Sequence, residues 1–244
     1  MQQLRKLQSM NGYRLRARDG EIGKLKEIYF DDRRWSTRYF VVHTGSWLLG
    51  RDVLIVPSLI TGVDESDRRL EVDLDLEQIR GCPPVEKAMP VSLHYEQEYH
   101  RYYGWEPYWT GDPLFTPGPV MPPSTATGAH HEPPHPHLRS SDEVTGYRIH
   151  ARDGEIGQVE DFILEEADWK IAYLELDTRK WLPGKNVLLA PGWIEQVSWT
   201  AKEVTVDLSV ESIKTAPAYD ASEPISRDYE LALYRHYGMT FDRD

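Results

Sequence analysis

A chain of 244 residues, 40% of them hydrophobic, is long enough for two domains with cores of their own. Its net charge of −12 argues against a nucleic-acid backbone as the main partner, and its single cysteine, Cys82, excludes an intrachain disulfide and a thiolate metal cluster. No run of about 18 apolar residues is present and the opening MQQLRKLQSMN lacks an apolar signal core, so no membrane span and a cytoplasmic location are expected.

The stretch Gly12 to Gly23, GYRLRARDGEIG, returns at Gly146 to Gly157 as GYRIHARDGEIG. The offset, 146 − 12 = 134, holds without a gap from Gly12–Gly104 to Gly146–Gly238. This predicts a first domain at 1–104, a linker at 105–145 and a second domain at 146–244. The charge is uneven: Gly12–Gly104 carries 14 Lys/Arg against 16 Asp/Glu, and Gly146–Gly238 carries 10 against 17.

Each copy opens with a strand, Tyr13–Ala17 or Tyr147–Ala151. Asp19-Gly20 and Asp153-Gly154 then predict a hairpin, because glycine adopts a positive φ cheaply. Gly23 and Gly157 predict a bulge or a close backbone approach in the next strand, Lys24–Phe30 or Gln158–Leu164. In the third strand, Thr37–His43 or Ile171–Asp177, alternation puts Leu174 and Leu176 inside, with Phe40 and Val42 as their equivalents. Tyr173, Glu175 and Asp177 then fall on a solvated face. The fourth strand, Val53–Val56 or Val187–Ala190, is apolar and ends at Pro57 or Pro191. The last alternates, with Leu70, Val72 and Leu74 inside, or Val204, Val206 and Leu208. A helical turn follows at Leu76–Ile79 or Val210–Ile213, with Asp75 or Ser209 as its N-cap. A closing helix begins at Ser92 or Ser226 and ends at Gly104 or Gly238.

Between the copies, nine prolines from Pro107 to Pro136 predict a mostly irregular linker. Its aromatic start, Trp105, Tyr108, Trp109, Leu114 and Phe115, is suited to packing on a barrel.

The elements predict a mainly β fold of two tandem small barrels, each followed by a short helix. The series resembles the PRC-barrel family, which includes the cytoplasmic barrel of the photosynthetic reaction-centre H subunit and the C-terminal domain of ribosome maturation factors. The matching residues are Gly12, Asp19, Gly20 and Gly23 with Gly146, Asp153, Gly154 and Gly157, the strand ending in Thr44 or Thr178, and Trp47–Pro57 with Trp181–Pro191. The resemblance implies the fold; no motif places the H subunit's proton-delivery role on named residues here.

Composition offers little catalytic chemistry. No phosphate loop, nucleophile elbow or zinc-protease helix occurs. Gly20–Gly23 and Gly154–Gly157 follow a strand without opening a helix, which is turn chemistry. Glu175 and Asp177, with Asp153 and Glu155, could shuttle protons or bind calcium, but the first copy has Val41 and His43 at the strand positions. The run His130, His131, His135 and His137 is either a metal site or a polar spacer. Trp47 and Trp181 either cover a barrel end or anchor an interface. Tyr95, Tyr99, Tyr229, Leu233 and Tyr237 are further interface candidates, and with Tyr102 they are expected to join the two barrels within the chain. The expected function is a non-enzymatic binding or assembly module without cofactor or resident metal, docking on a protein partner. The alternative, from the resemblance alone, is an electron-transfer or photosynthesis-linked accessory.

Overall fold

The computed structural model describes residues 3–83, 85, 93–107, 137–178 and 186–241. The chain opens with β1 (Leu4–Lys6) and α1 (Leu7–Met10). Next come β2 (Arg14–Ala17), β3 (Gly20–Asp31), β4 (Ser36–His43), β5 (Asp52–Ile55), β6 (Ile60–Asp64), β7 (Arg69–Val72), α2 (Leu76–Gly81) and α3 (Leu93–Tyr103). The series then repeats: β8 (Leu138–Ser140), α4 (Ser141–Val144), β9 (Arg148–Ala151), β10 (Gly154–Glu165), β11 (Ile171–Asp177), β12 (Asn186–Leu189), β13 (Ile194–Ser198), β14 (Glu203–Val206), α5 (Val210–Thr215) and α6 (Arg227–His236). The fold is mainly β, in two seven-stranded sheets.

The sheets run β5-β4-β3-β2-β7-β6 and β12-β11-β10-β9-β14-β13. Pairings are antiparallel except β2 with β7 and β9 with β14. Among the described residues no pairing joins β5 to β6 or β12 to β13, so the ladders are open. The edge strands β6 and β13 bring each copy to six strands of its own, within the five or six expected from the sequence.

Local chemistry accounts for the hairpins. Asp19 accepts a hydrogen bond from the Leu76 N–H at 2.8 Å, and Asp153 accepts one from the Val210 N–H at 2.7 Å. The hairpin turn therefore also holds the start of the short helix, where the first N–H groups lack intrahelical partners. At Gly23 the ladder is shifted by a bulge, and a Cβ would lie 2.1 Å from the His43 carbonyl oxygen. Gly157 is equally tight, at 2.4 Å from the Asp177 carbonyl oxygen. Both features expected of these glycines are present. Leu174, Leu176, Val204 and Val206 are fully buried and Leu208 nearly so, as alternation predicts.

The seventh strand of each sheet comes from the other half. β1 pairs with β10, setting Leu4, Arg5 and Lys6 opposite Glu165, Leu164 and Ile163. β8 pairs with β3 in the same register, setting Leu138, Arg139 and Ser140 opposite Asp31, Phe30 and Tyr29. The offset of 134 thus extends back to Leu4 and Leu138, and the end of the stretch read as irregular linker is a strand and a helical turn. Side chains clamp the exchange. Arg5 pairs with Glu166 at 2.5 Å, and its equivalent Arg139 pairs with Asp32, the equivalent of Glu166, at 3.1 Å.

The β3–β4 and β10–β11 turns cross at the junction. The Thr37 N–H donates to the Trp169 carbonyl at 3.1 Å, and the Ile171 N–H donates to the Trp35 carbonyl at 2.7 Å. Phe30 meets Phe162 with ring centroids 5.5 Å apart, and Phe40 meets Trp169 edge-on at 4.9 Å. Trp35 and Trp169 both sit in the left-handed region, at φ 51° and 56°, a strain of order 1–2 kcal/mol that these contacts offset.

The Tyr99 hydroxyl donates to the Leu54 carbonyl at 2.6 Å and accepts from its N–H at 3.1 Å, within its own half. Tyr95 and Tyr229 reach the Pro83 and Pro217 carbonyls at 3.0 and 3.3 Å, and Tyr102 reaches Gln78 at 2.9 Å. Among the described residues, these hydrogen bonds of the closing-helix tyrosines, which the sequence leads one to expect between the halves, lie within their own halves. The physical reason is the open edge of β5, whose backbone groups need cover; α3 lies there and supplies it.

Candidate binding site at the junction

A pocket of about 870 Å³ opens where the halves meet. Thr37 and Arg38 at the start of β4, Ser58 in the turn after β5, and His100 and Trp105 around the end of α3 form one side. The β10–β11 turn, Glu166 to Trp169, forms the other. Proline at position 57 starts a 3-10 turn that brings Ser58 to the rim, and left-handed Gly104 ends α3 so that Trp105 folds back. Trp105 then stacks on Tyr103 with centroids 4.2 Å apart, while Tyr108, Trp109, Leu114 and Phe115, the rest of the linker's aromatic start, lie outside the described residues.

Behind the pocket wall lies a buried polar chain. The Tyr39 hydroxyl donates to Glu96 at 2.9 Å and meets His100 Nε2 at 2.8 Å. A hydroxyl has one proton, so with that proton given to Glu96, His100 presents Nε2–H to Tyr39. Burial lowers the His100 pKa, which keeps the imidazole neutral at neutral pH. The second half keeps Tyr173, which donates to Glu230 at 2.7 Å, but has Tyr234 at the position of His100.

The two-fold equivalent of the pocket is smaller, about 320 Å³ between Asp32, Trp35, Pro191 and Ile194. Nearby, Trp193 packs on Tyr234 and Tyr237, centroids 5.1 and 4.7 Å apart, and Tyr234 packs on Phe241 at 5.0 Å. Position by position, Thr37, Arg38, Ser58, His100 and Trp105 correspond to Ile171, Ala172, Gly192, Tyr234 and Met239. The smaller pocket has its own polar lining, Asp32, Arg33, Glu195 and Gln196, but no hydroxyl at the Thr37 and Ser58 positions. Thr37 is 3% exposed, and its hydroxyl has no hydrogen-bond partner among the described residues.

A second polar cluster lies at the β1–β10 joint and overturns the solvated face expected for Glu175. Glu175 is fully buried, as is Tyr173. The alternation argument assumes one wet face, but β1 and α6 cover the face that would be wet. Glu175 is held by Lys6 Nζ at 2.6 Å and by the Asn186 amide at 2.6 Å. Asp161 accepts from the Gln8 N–H at 3.1 Å and the Phe162 N–H at 2.8 Å, with Lys6 at 3.9 Å. Burial, with Glu175 nearby, pushes Asp161 up to about 7 against those hydrogen bonds. In the first half, Glu27 takes the Asp161 position and accepts from Ser140, while Val41 replaces Glu175.

The other candidates are placed as follows. Trp47 is half-buried and donates from its indole to the Ile22 carbonyl at 2.6 Å, within its own half. Leu233 is fully buried, Tyr99 likewise, and Tyr237 is held against Trp193. Trp181, His130, His131 and His135 lie outside the described residues. His137 pairs with Asp32 at 3.0 Å, and no metal-binding group occurs among the described residues. None of the described interface candidates lines the pocket, whose walls come from four separated segments that no local motif connects. Among the described residues no helix is long and apolar enough to cross a membrane. No protein-family model matches the chain, and no curated protein matches it.

Proposed function

We propose that the chain is a non-enzymatic binding module of two PRC-barrel-like halves that docks on a protein partner. The reciprocal strand exchange carries this reading. It ties both halves into one body, so a partner meets a fixed cleft with walls from both copies. Preorganised surfaces lose less freedom on association, which favours recognition as the use of such a cleft. The series of Gly, Asp-Gly and Trp-Leu-x-Gly motifs supports the PRC-type assignment, and the mainly β sheets agree with it in class. A cytoplasmic setting accords with the unpaired thiol of Cys82.

Chemical crosslinking of the tagged chain in its native cell tests the reading. The expected result is one protein crosslinked in constant ratio to lysines of both halves. A chain that yields only self-links would defeat it. Co-purification with a pigment-bearing membrane complex would favour the electron-transfer alternative that the resemblance implies.

A further inference from the structure

We infer that the junction pocket recognises an arginine-bearing basic segment of the partner, with the guanidinium seated between Trp105 and the Thr37 hydroxyl. This rests on the docking reading and assigns it a chemistry.

Three observations carry it. The first is Thr37, an acceptor shut away from solvent in the pocket wall and left without a partner among the described residues. A buried hydroxyl without a partner is unfavourable, and a ligand N–H bonded to it removes that penalty. The second is charge. The lining holds the carboxylates Glu106, Glu166 and Asp168 and the guanidinium of Arg38; Arg5 engages Glu166, Lys170 engages Asp168 and Asp31 engages Arg38, which leaves Glu106 to face an incoming cation. His100 adds no positive charge while neutral, and the chain as a whole stands at −12. The third is shape: Trp105 offers an indole at the pocket wall, and a planar guanidinium stacks on indole faces while its fork of donors reaches oxygen acceptors. The second half offers a contrast at Thr37 alone among the buried acceptors: isoleucine stands at the matching place, Ile171, while the smaller groove is lined by Asp32, Arg33, Glu195 and Gln196.

Fluorescence anisotropy on the full chain decides the matter. The probe is a fluorescein-labelled Gly-Ser nonapeptide with three central arginines; its controls carry citrulline or glutamate there. The arginine peptide should bind saturably and the controls at least ~10-fold more weakly, the effect of losing a charge-assisted hydrogen bond. Thr37→Ile, which copies the second half, should weaken binding by a similar ~10-fold. Ser58→Trp on the exposed rim should fill the pocket without touching the core, so it reads the site even if Thr37→Ile destabilises the fold. Equal binding of the citrulline peptide, or unchanged binding by folded Ser58→Trp, would overturn the assignment. Partner crosslinks that persist in Ser58→Trp after such a result would leave docking standing and remove only this site; absence of crosslinks in the unmodified chain would remove both.

Discussion

Lys6 Nζ lies 2.6 Å from Glu175 Oε2, although one residue opens the chain and the other belongs to the second half. Glu175 has no solvent contact, so this lysine is its main neutralising charge. Removing one partner of a buried ion pair strands the other. Lys6→Met is expected to destabilise the protein by about 3–5 kcal/mol in urea unfolding. Adding Glu175→Val, the choice made at the equivalent Val41, should restore most of that loss. A double variant as unstable as the single one would show that Lys6 acts through packing.

The same joint predicts a pH dependence. Asp161 is pushed from 3.8 up to about 7 in the folded protein, so the fold binds its proton more tightly than the unfolded chain does. Its contribution is complete below about pH 4 and is lost as pH rises through about 7. Glu27 and Asp142, also raised, act with the same sign, while Asp31 and Asp52, lowered by Arg38 and by His43 with Lys26, contribute stability that is lost at low pH. The groups facing Asp161 are Lys6 on β1, the Gln8 N–H on α1, Glu175 on β11 and Tyr219 beyond α5. Asp161→Asn should therefore gain on the unmodified chain as pH goes from 5 to 8, by on the order of 1–3 kcal/mol. A difference that stays flat over that range would contradict the assignment.

Much of the architecture is legible in the sequence because it is local. Asp19-Gly20 sets a hairpin, Gly23 marks a close approach, and Leu174 and Leu176 alternate into the core. Glu175 misleads for a physical reason: alternation reports one covered face and cannot tell whether a distant segment covers the other. That segment, Leu4–Lys6, has only three residues, too few to show a period. Its trace is the Leu-Arg pair at Leu4-Arg5, repeated at Leu138-Arg139. The junction pocket leaves no trace at all, since Thr37, Ser58, His100 and Asp168 come together only when the halves cross.

Leu176 sits opposite Val187 and Val159 and is fully buried. Leu176→Ala should destabilise by about 2–5 kcal/mol, the range for core truncations that leave a cavity. Calorimetry or urea unfolding reads it, and a loss under about 0.5 kcal/mol would put the side chain outside the core.

Gly23 gives a steric prediction. A methyl group there meets the His43 carbonyl at 2.1 Å and the Thr44 Cα at 2.8 Å, both backbone atoms of the neighbouring strand. Neither can rotate away. Gly23→Ala should separate β3 from β4 and destabilise by more than about 3 kcal/mol. Gly62→Ala, whose added Cβ meets only the Glu71 side chain at 4.0 Å, serves as the control and should change stability little.

The exchanged strand makes a prediction that runs against sequence distance. β1 hydrogen-bonds to Ile163, Leu164 and Glu165, and α1 follows it onto β10. Deleting residues 1–10 removes both elements from the second half. The first half loses far less, because β2 to β7 and the exchanged β8 remain paired. Hydrogen exchange should therefore accelerate at Ile163–Glu165 and in β11, where Glu175 is left without Lys6, while Leu15–Ala17 and Val41–His43 keep their protection. Opening free energies differ between such cooperative units, so the contrast is measurable even if the whole protein loses stability. Equal acceleration in both halves would mean that they unfold as one unit. Acceleration confined to Leu15–Ala17 would mean that the amino-terminal strand belongs to the half that follows it in sequence, and the reciprocal exchange would not describe the protein in solution.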